Sequence, residues 1–235
     1  MRVKPRLAFF SLLGVVLLLN WPVSTRQGMN YVVTEHRIPL YAKLVHFLDR
    51  SITFRQLAHD LTSGLRSDQA KADAILAWMD PLYRGVPEGL PVVDDHVLNV
   101  VTRRYGTDDQ FAELLAVLCG YAGLPATRLI LLVSEQPRRR IDVASVKIDG
   151  AWRFADPFRR VVPRGADGRW LTIDALQADP APAISAAGEV VIKGLPYAEY
   201  LRRLQPVDER LGLSSWKQRP VMRVWCELQR VWQHR

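Results

Sequence analysis

The sequence predicts an α+β domain: a series of helices, then a capped central helix packed on an antiparallel sheet. Two observations carry that assignment. Apolar residues recur at helical spacing from Leu40 to Leu118, and the spacing then changes to that of strands, with a tight-turn signal at Asp149-Gly150. The 235 residues suffice for one such domain with flanking segments, and 49% hydrophobic and 24% charged residues are usual for a folded globular chain. Four parts follow: an anchor helix over 1–25, helices over 26–66, the α+β core over 67–162, and an extension over 163–235 ending in an amphipathic helix.

Arg2, Lys4 and Arg6 precede an apolar run from Leu7 to Leu19, followed by Asn20-Trp21-Pro22-Val23. A basic flank before an apolar run marks a signal or signal anchor. No small-residue cleavage pattern follows, so an uncleaved anchor is expected over Leu7 to Val23, about 25 Å long as a helix. Trp21 suits a membrane interface, and the positive flank places the N-terminus in the cytoplasm and the domain in the periplasm of a bacterial-type cell.

Arg26–Asn30 reads as a polar linker. Arg37–Arg50 and Thr53–Leu65 read as two amphipathic helices, and Ser67–Met79 as a third with Ser67 as N-cap. Pro81, Gly85, Pro87, Gly89 and Pro91 mark an irregular loop, and Asp94–Arg104 a short helix. The central helix follows Tyr105-Gly106. Thr107 with Gln110 forms a capping-box pattern, Asp108 and Asp109 lie in the first turn, where the helix dipole favours acids, and Phe111, Leu114, Leu115 and Leu118 share one face. Gly123-Leu124-Pro125-Ala126 stops it. Arg128–Ser134 is a nearly continuous apolar strand. Ile141–Ile148 and Trp152–Asp156 form a hairpin about Asp149-Gly150. Pro163–Gly168 and Asp179–Gly188 read as loops and Pro196–Leu204 as a helix. Pro220–Trp232 carries a stripe of Val221, Val224, Trp225, Leu228, Val231 and Trp232 flanked by arginines, which reads as a closing helix or as a partner- or membrane-surface helix.

The net charge of +8 admits nucleic acid or an anionic surface as partner. Acids separate the basic clusters and no nucleic-acid motif accompanies them, so nucleic acid is not expected. Two cysteines, Cys119 and Cys226, are too few for a disulfide scaffold, and a single bridge between them is left open. His36, His46, His59, His96 and His234 are scattered, so neither a metal nor a cofactor is called for.

The order of parts resembles the transglutaminase-like branch of the papain-like cysteine enzymes. In that family a Gly-x-Cys-x-Asp-x-Ala block opens the central helix, Gly-Ile-Pro-Ala closes it, a His stands on the following strand, and a Trp-x-x-x-Asp-Pro block carries the third catalytic residue. Here Gly106–Ala112, Gly123–Ala126 and Trp152–Pro157 correspond, and the resemblance runs from about Asp68 to Pro157. Carried over, the nucleophile position falls on Asp108 and the His position on Ile141, or on Asp142 with a shift of one. Asp156 alone is kept. A carboxylate is a poor acyl-transfer nucleophile, and no imidazole stands ready as base. Cys119 lies eleven residues along the same helix, about 16 Å from its start.

The resemblance implies a degenerate, membrane-anchored accessory domain that binds a protein partner, peptide or glycan, in cell-envelope or exopolysaccharide assembly. Gly106, Thr107, Asp108, Asp109, Trp152 and Asp156 would line the cleft. The alternative is a hydrolase with a carboxylate site built from Asp108, Asp142 and Asp156, with His96 as a further candidate. A cysteine hydrolase working through Cys119 is the third reading.

Overall fold

The computed structural model describes residues 5–27, 34–90, 96–208 and 213–233. The N-terminal helix α1 (Pro5–Leu19) is 15 residues long. It ends at Asn20-Trp21, and Pro22 opens β1 (Pro22–Gln27), which pairs antiparallel with β2 (Thr34–Pro39). The expected anchor from Leu7 to Val23 is thus cut short, because proline lacks the N–H that would continue the helix and instead starts an extended strand. Fifteen residues rise about 22 Å, less than the roughly 30 Å of a bilayer's hydrocarbon. Among the described residues no helix is long and apolar enough to cross a membrane. The linker expected over Arg26–Asn30 begins inside β1, and its last three residues lie outside the described ones.

The two helices expected between Arg37 and Leu65 are one, α2 (Leu40–Thr62). Ser51, at the expected break, is buried and accepts a 3.0 Å bond from the Tyr121 hydroxyl, so the chain gains by staying helical across it. α3 (Asp68–Met79) starts as read, with Ser67 Oγ accepting from the Ala70 N–H at 3.2 Å. β3 (Tyr83–Arg84) lies in the Pro/Gly loop, and the short helix α4 (Leu98–Arg103) leads to β4 (Tyr105–Gly106). The two strands pair in parallel and hold the turn before α5 (Asp108–Tyr121).

The sheet has the order β5 (Ala126–Ser134), β6 (Arg139–Ile148), β7 (Ala151–Ala155), antiparallel throughout. Asp149 and Gly150 both take positive φ, 51° and 80°, as a tight two-residue hairpin turn requires. Helices pack on both sheet faces, although Ile130 and Leu132 on β5 stay exposed. Ala144, Val146 and Ile148 pack with Leu114, Leu118, Phe54 and Ile75 from α5, α2 and α3. Ile141, Val143, Leu131 and Phe154 pack on the other face with Ile173 and Leu176 of α6 (Ile173–Ala178), Ala183 of α7 (Ala181–Ala187), and Tyr197 and Tyr200 of α8 (Tyr197–Leu201). The stretch Asp179–Gly188, expected as a loop, holds α7. Proline at its first turn and alanines beyond it favour the helix. A small hairpin, β8 (Val191–Ile192) with β9 (Leu195–Pro196), precedes α8.

Near the C-terminus, α9 (Ser214–Gln218) packs on α5 and α10 (Pro220–Gln233) on α2. The α5–α9 contact is close. A Cβ on Gly120 would stand 2.4 Å from Ser215 Cβ, so only glycine permits it. Cys119 is buried, Cys226 is exposed, and both are free thiols.

Candidate functional site

The site grows from the first turn of α5. Gln110 Oε1 accepts the Thr107 N–H at 3.1 Å, the reach-back half of the capping box expected from the sequence. Gly106 makes room for that bond, since a Cβ there would lie 2.9 Å from Gln110 Oε1. The Thr107 hydroxyl donates to Asp109 Oδ1 at 2.6 Å, and Asp108 Oδ1 accepts the Asp109 N–H at 3.0 Å. Both acids therefore serve the helix start, and Asp108 keeps 28% of its side chain exposed.

The second oxygen of Asp108 points to Arg159, whose Nη2 lies 3.6 Å away. The Nη1 of the same guanidinium donates to Asp156 Oδ2 at 2.8 Å. Asp156 stands just beyond β7 with no exposed surface. Its Oδ1 accepts the Arg159 N–H at 3.0 Å and its Oδ2 the Tyr197 hydroxyl at 3.0 Å. Burial pushes the Asp156 carboxyl above its ordinary value, while the Arg159 charge and these hydrogen bonds work against that. Burial and the nearby carboxylate push the Tyr197 phenol well up, so it stays a donor. Arg159 thus joins the two positions at which the resemblance places a nucleophile and a third catalytic residue.

The two positions expected for the imidazole, Ile141 and Asp142, lie on opposite faces of β6. Ile141 is fully buried on the sheet face turned to α8, beside Phe154 and Tyr197, and offers no titratable group. Asp142 shares its parity with Ala144 and Val146 and so lies on the α5 face. Its carboxylate is 1% exposed, 3.3 Å from Arg140 Nε and 3.7 Å from Arg128 Nε. Arg128 also lies 4.0 Å from Asp109. Burial pushes the Asp142 carboxyl up to about 6, against the pull of Arg128 and Arg140, and the charges of Asp108 and Asp109 add to the rise. Asp142 Oδ1 is buried and makes no hydrogen bond.

The sequence candidates therefore divide. Gly106, Thr107, Asp108, Asp109, Asp142 and Asp156 come together around the start of α5. Trp152 stands apart: it lies four positions before Asp156, about 13 Å along the strand, and its ring lies against the Lys147 ammonium at 5.7 Å. His96 lies elsewhere and is half-buried. Its Nε2 meets Gln218 Oε1 at 2.7 Å and Arg223 Nη2 at 3.2 Å, its Nδ1 accepts the Leu98 N–H at 3.1 Å, and desolvation with the charges of Arg50 and Arg223 drives it down to about 3, so it stays neutral. Cys119 sits in the core cluster, where desolvation raises its thiol far above the usual range. A buried protonated thiol is inert, which removes the reading through Cys119. No group of three or more His, Cys, Asp or Glu placed to hold a metal occurs among the described residues.

Arg128, Arg140, Arg159 and Tyr197 were not singled out by the sequence reading. Arg128 and Arg140 carry a usable signal: both share even parity with Asp142 on paired strands. Arg159 sits three residues after Asp156, the reach of a turn closed on the aspartate side chain. Tyr197, 41 residues downstream, gives no local signal. Chemically the group is a set of carboxylates neutralised by arginines, with one partly exposed acid at its edge.

No family model and no curated protein matches the chain. Solved structures that resemble it include a protein from Cytophaga hutchinsonii, provisionally named a cysteine protease (21% identity, 55% of this chain, 45% of that one, TM-score 0.40). Another is described as a TGase (15% identity, 67% of this chain, 49% of that one, TM-score 0.38). A third, from Parabacteroides distasonis, is provisionally named a protease (16% identity, 57% of this chain, 35% of that one, TM-score 0.36). The chain spans under half the length of each.

Proposed function

We propose that the chain is a catalytically silent transglutaminase-like accessory domain of the cell envelope that binds a peptide or glycan at the rim formed by Gly106–Gln110. One observation carries the reading: a single guanidinium, Arg159, spans Asp108 and Asp156 where a thiol–imidazole–carboxylate set would operate. Acyl transfer needs an activated nucleophile and a base. The Ile141 side chain supplies none, and the oxygens of Asp156 are engaged by Arg159 and Tyr197. A partly exposed Asp108 beside Arg159 suits recognition of a polar chain by charge-assisted hydrogen bonds.

The test is affinity capture of partners by the full chain and by its Asp108→Ala form, with Tm measured for both. Loss of specific partners at an unchanged Tm supports the reading. Turnover of a peptide or amine-acceptor substrate by the purified chain, abolished by Asp108→Asn, overturns it.

A second reading, a carboxylate hydrolase, is favoured by Asp142 alone. A carboxyl titrating near 6 beside another acid is what general acid catalysis uses. Burial of Asp142 and the arginine pairs weigh against it. Glycan or peptide cleavage with a rate limb near pH 6 that vanishes in Asp142→Asn would select this reading over the first.

A further inference from the structure

We propose that the face built by α1, α2 and α10 docks on an anionic lipid bilayer and lies in the plane of its interface, independently of what the start of α5 binds. Exposed apolar side chains line all three helices. Phe10, Leu12, Leu13 and Val15 to Leu18 of α1 are exposed. The Trp21 carbonyl accepts the Leu40 N–H at 3.0 Å, which ties the end of α1 to the start of α2. Trp21 is itself exposed, and the stripe then runs along α2 through Tyr41, Val45, Leu48 and Ile52. These four follow helical spacing on the side away from the core, and Val45, Leu48 and Ile52 are 56%, 52% and 62% exposed. Leu44, Phe47 and Leu48 then face Pro220, Val221 and Val224 across an apolar groove of about 350 Å³, and Trp225 extends the α10 side.

Charge identifies the occupant. Residues 1–62 and 213–235, the segments that build this face, hold thirteen Lys or Arg against four Asp or Glu. The remaining 150 residues hold nineteen against twenty. The positive excess of the sequence therefore falls in the segments that contain this face. Arg37, Arg55, Lys217 and Arg219 are exposed beside it. A protein partner core would not call for that segregation, whereas an anionic headgroup layer over hydrocarbon calls for both features together. The tryptophans Trp21 and Trp225 have the amphipathic rings that settle at such a boundary. α1 is too short to cross a bilayer, and the β1–β2 hairpin begins three residues after it, so α1 joins this face as an in-plane element.

The experiment is flotation of the full chain with vesicles of phosphatidylcholine, alone or mixed with phosphatidylglycerol, at low and high salt. Binding is expected to the mixed vesicles and to weaken with salt. On α2, Val45→Ser with Ile52→Ser, and on α10, Val221→Ser with Trp225→Ser, replace exposed side chains, so Tm holds while the partition coefficient falls about tenfold for each pair. Lys217→Glu with Arg219→Glu lowers binding to mixed vesicles by roughly thirtyfold or more and leaves binding to neutral ones unchanged, since each basic side chain near an anionic surface contributes about 1 kcal/mol. Equal binding to both vesicle types, or α2 and α10 variants that float like the parent, overturns the proposal. So does a lipid-free dimer that the same apolar variants dissociate, which would assign the face to a second copy.

Discussion

Replacing Arg159 by Met removes the guanidinium that spans Asp108 and Asp156 and keeps a side chain of similar length. Asp156 then has no exposed surface and no counter-charge, and keeps only the main-chain N–H of residue 159 and the Tyr197 hydroxyl. Breaking one half of a buried ion pair costs about 3–5 kcal/mol. Protonation sets a ceiling of about 4 kcal/mol at pH 7, the work of holding a carboxyl of ordinary pKa near 3.9 neutral three units above it. The folded carboxyl in this variant titrates well above the unfolded one. Its penalty is full at neutral pH and shrinks by about 1.4 kcal/mol for each unit of acidification, fading as pH approaches 4. Urea denaturation of both proteins between pH 5 and 8 measures this directly, and Tm at pH 7 falls by roughly 10 °C. Asp156→Asn placed in the same chain restores most of the loss, because a neutral amide carries no buried charge. A deficit under about 1 kcal/mol, or one that does not change with pH, would refute the assignment of Arg159 as the counter-charge of Asp156.

Asp142 titrates near 6 in the folded protein, above its unfolded value of about 3.9, so its contribution to stability is present in acid and is lost as pH rises through 6, about 3 kcal/mol in all. Asp142→Asn therefore gains on the parent between pH 4 and 7, and parallel stability profiles would contradict the raised carboxyl. A thiol reagent such as Ellman's labels one cysteine per native chain, Cys226, and labels Cys119 only in denaturant; rapid labelling of both in the native protein would contradict the burial of Cys119. Gly120→Ala forces α9 away from α5 and destabilises by about 1–3 kcal/mol, and Ser215→Gly in the same chain relieves it because the clash is between those two Cβ atoms.

The start of α5 was legible because every determinant is local. The cap, the two first-turn acids and the stop at Gly123 lie within one stretch of sequence, and the structure reproduces them. The N-terminal helix was legible in kind and misjudged in length. Hydropathy runs on through Trp21 to Val23, but the backbone changes at Pro22, and the β2 partners that make a strand favourable there, Ile38 and Pro39, lie more than a dozen positions away. In the sequence, Arg159 belongs to one of several basic clusters with acids between them. What separates it from Arg160 is the turn after Asp156, which folds the first arginine back onto the carboxylate and sends the second to the exposed Asp80.

The choice between Ile141 and Asp142 shows what periodicity could have decided. The apolar members of β6 are Ile141 and Val143, then Val146 and Ile148, so the alternation changes phase at Ala144. In a sheet with one wet face such a change would signal a bulge, yet β6 pairs without interruption with β5 from Ile141 to Val146 and with β7 from Ala144 to Ile148. The phase change instead reports that both faces of β6 are covered, one by α5 and the other by α6 to α8. With two buried faces, an acid among the apolar positions has to bring its own counter-charges. Asp142 has them in Arg128 and Arg140, the two arginines of matching parity on the paired strands. The pairing logic alone thus places Asp142 toward α5 and Ile141 toward Tyr197, and it makes the arginines part of the site rather than of the surface.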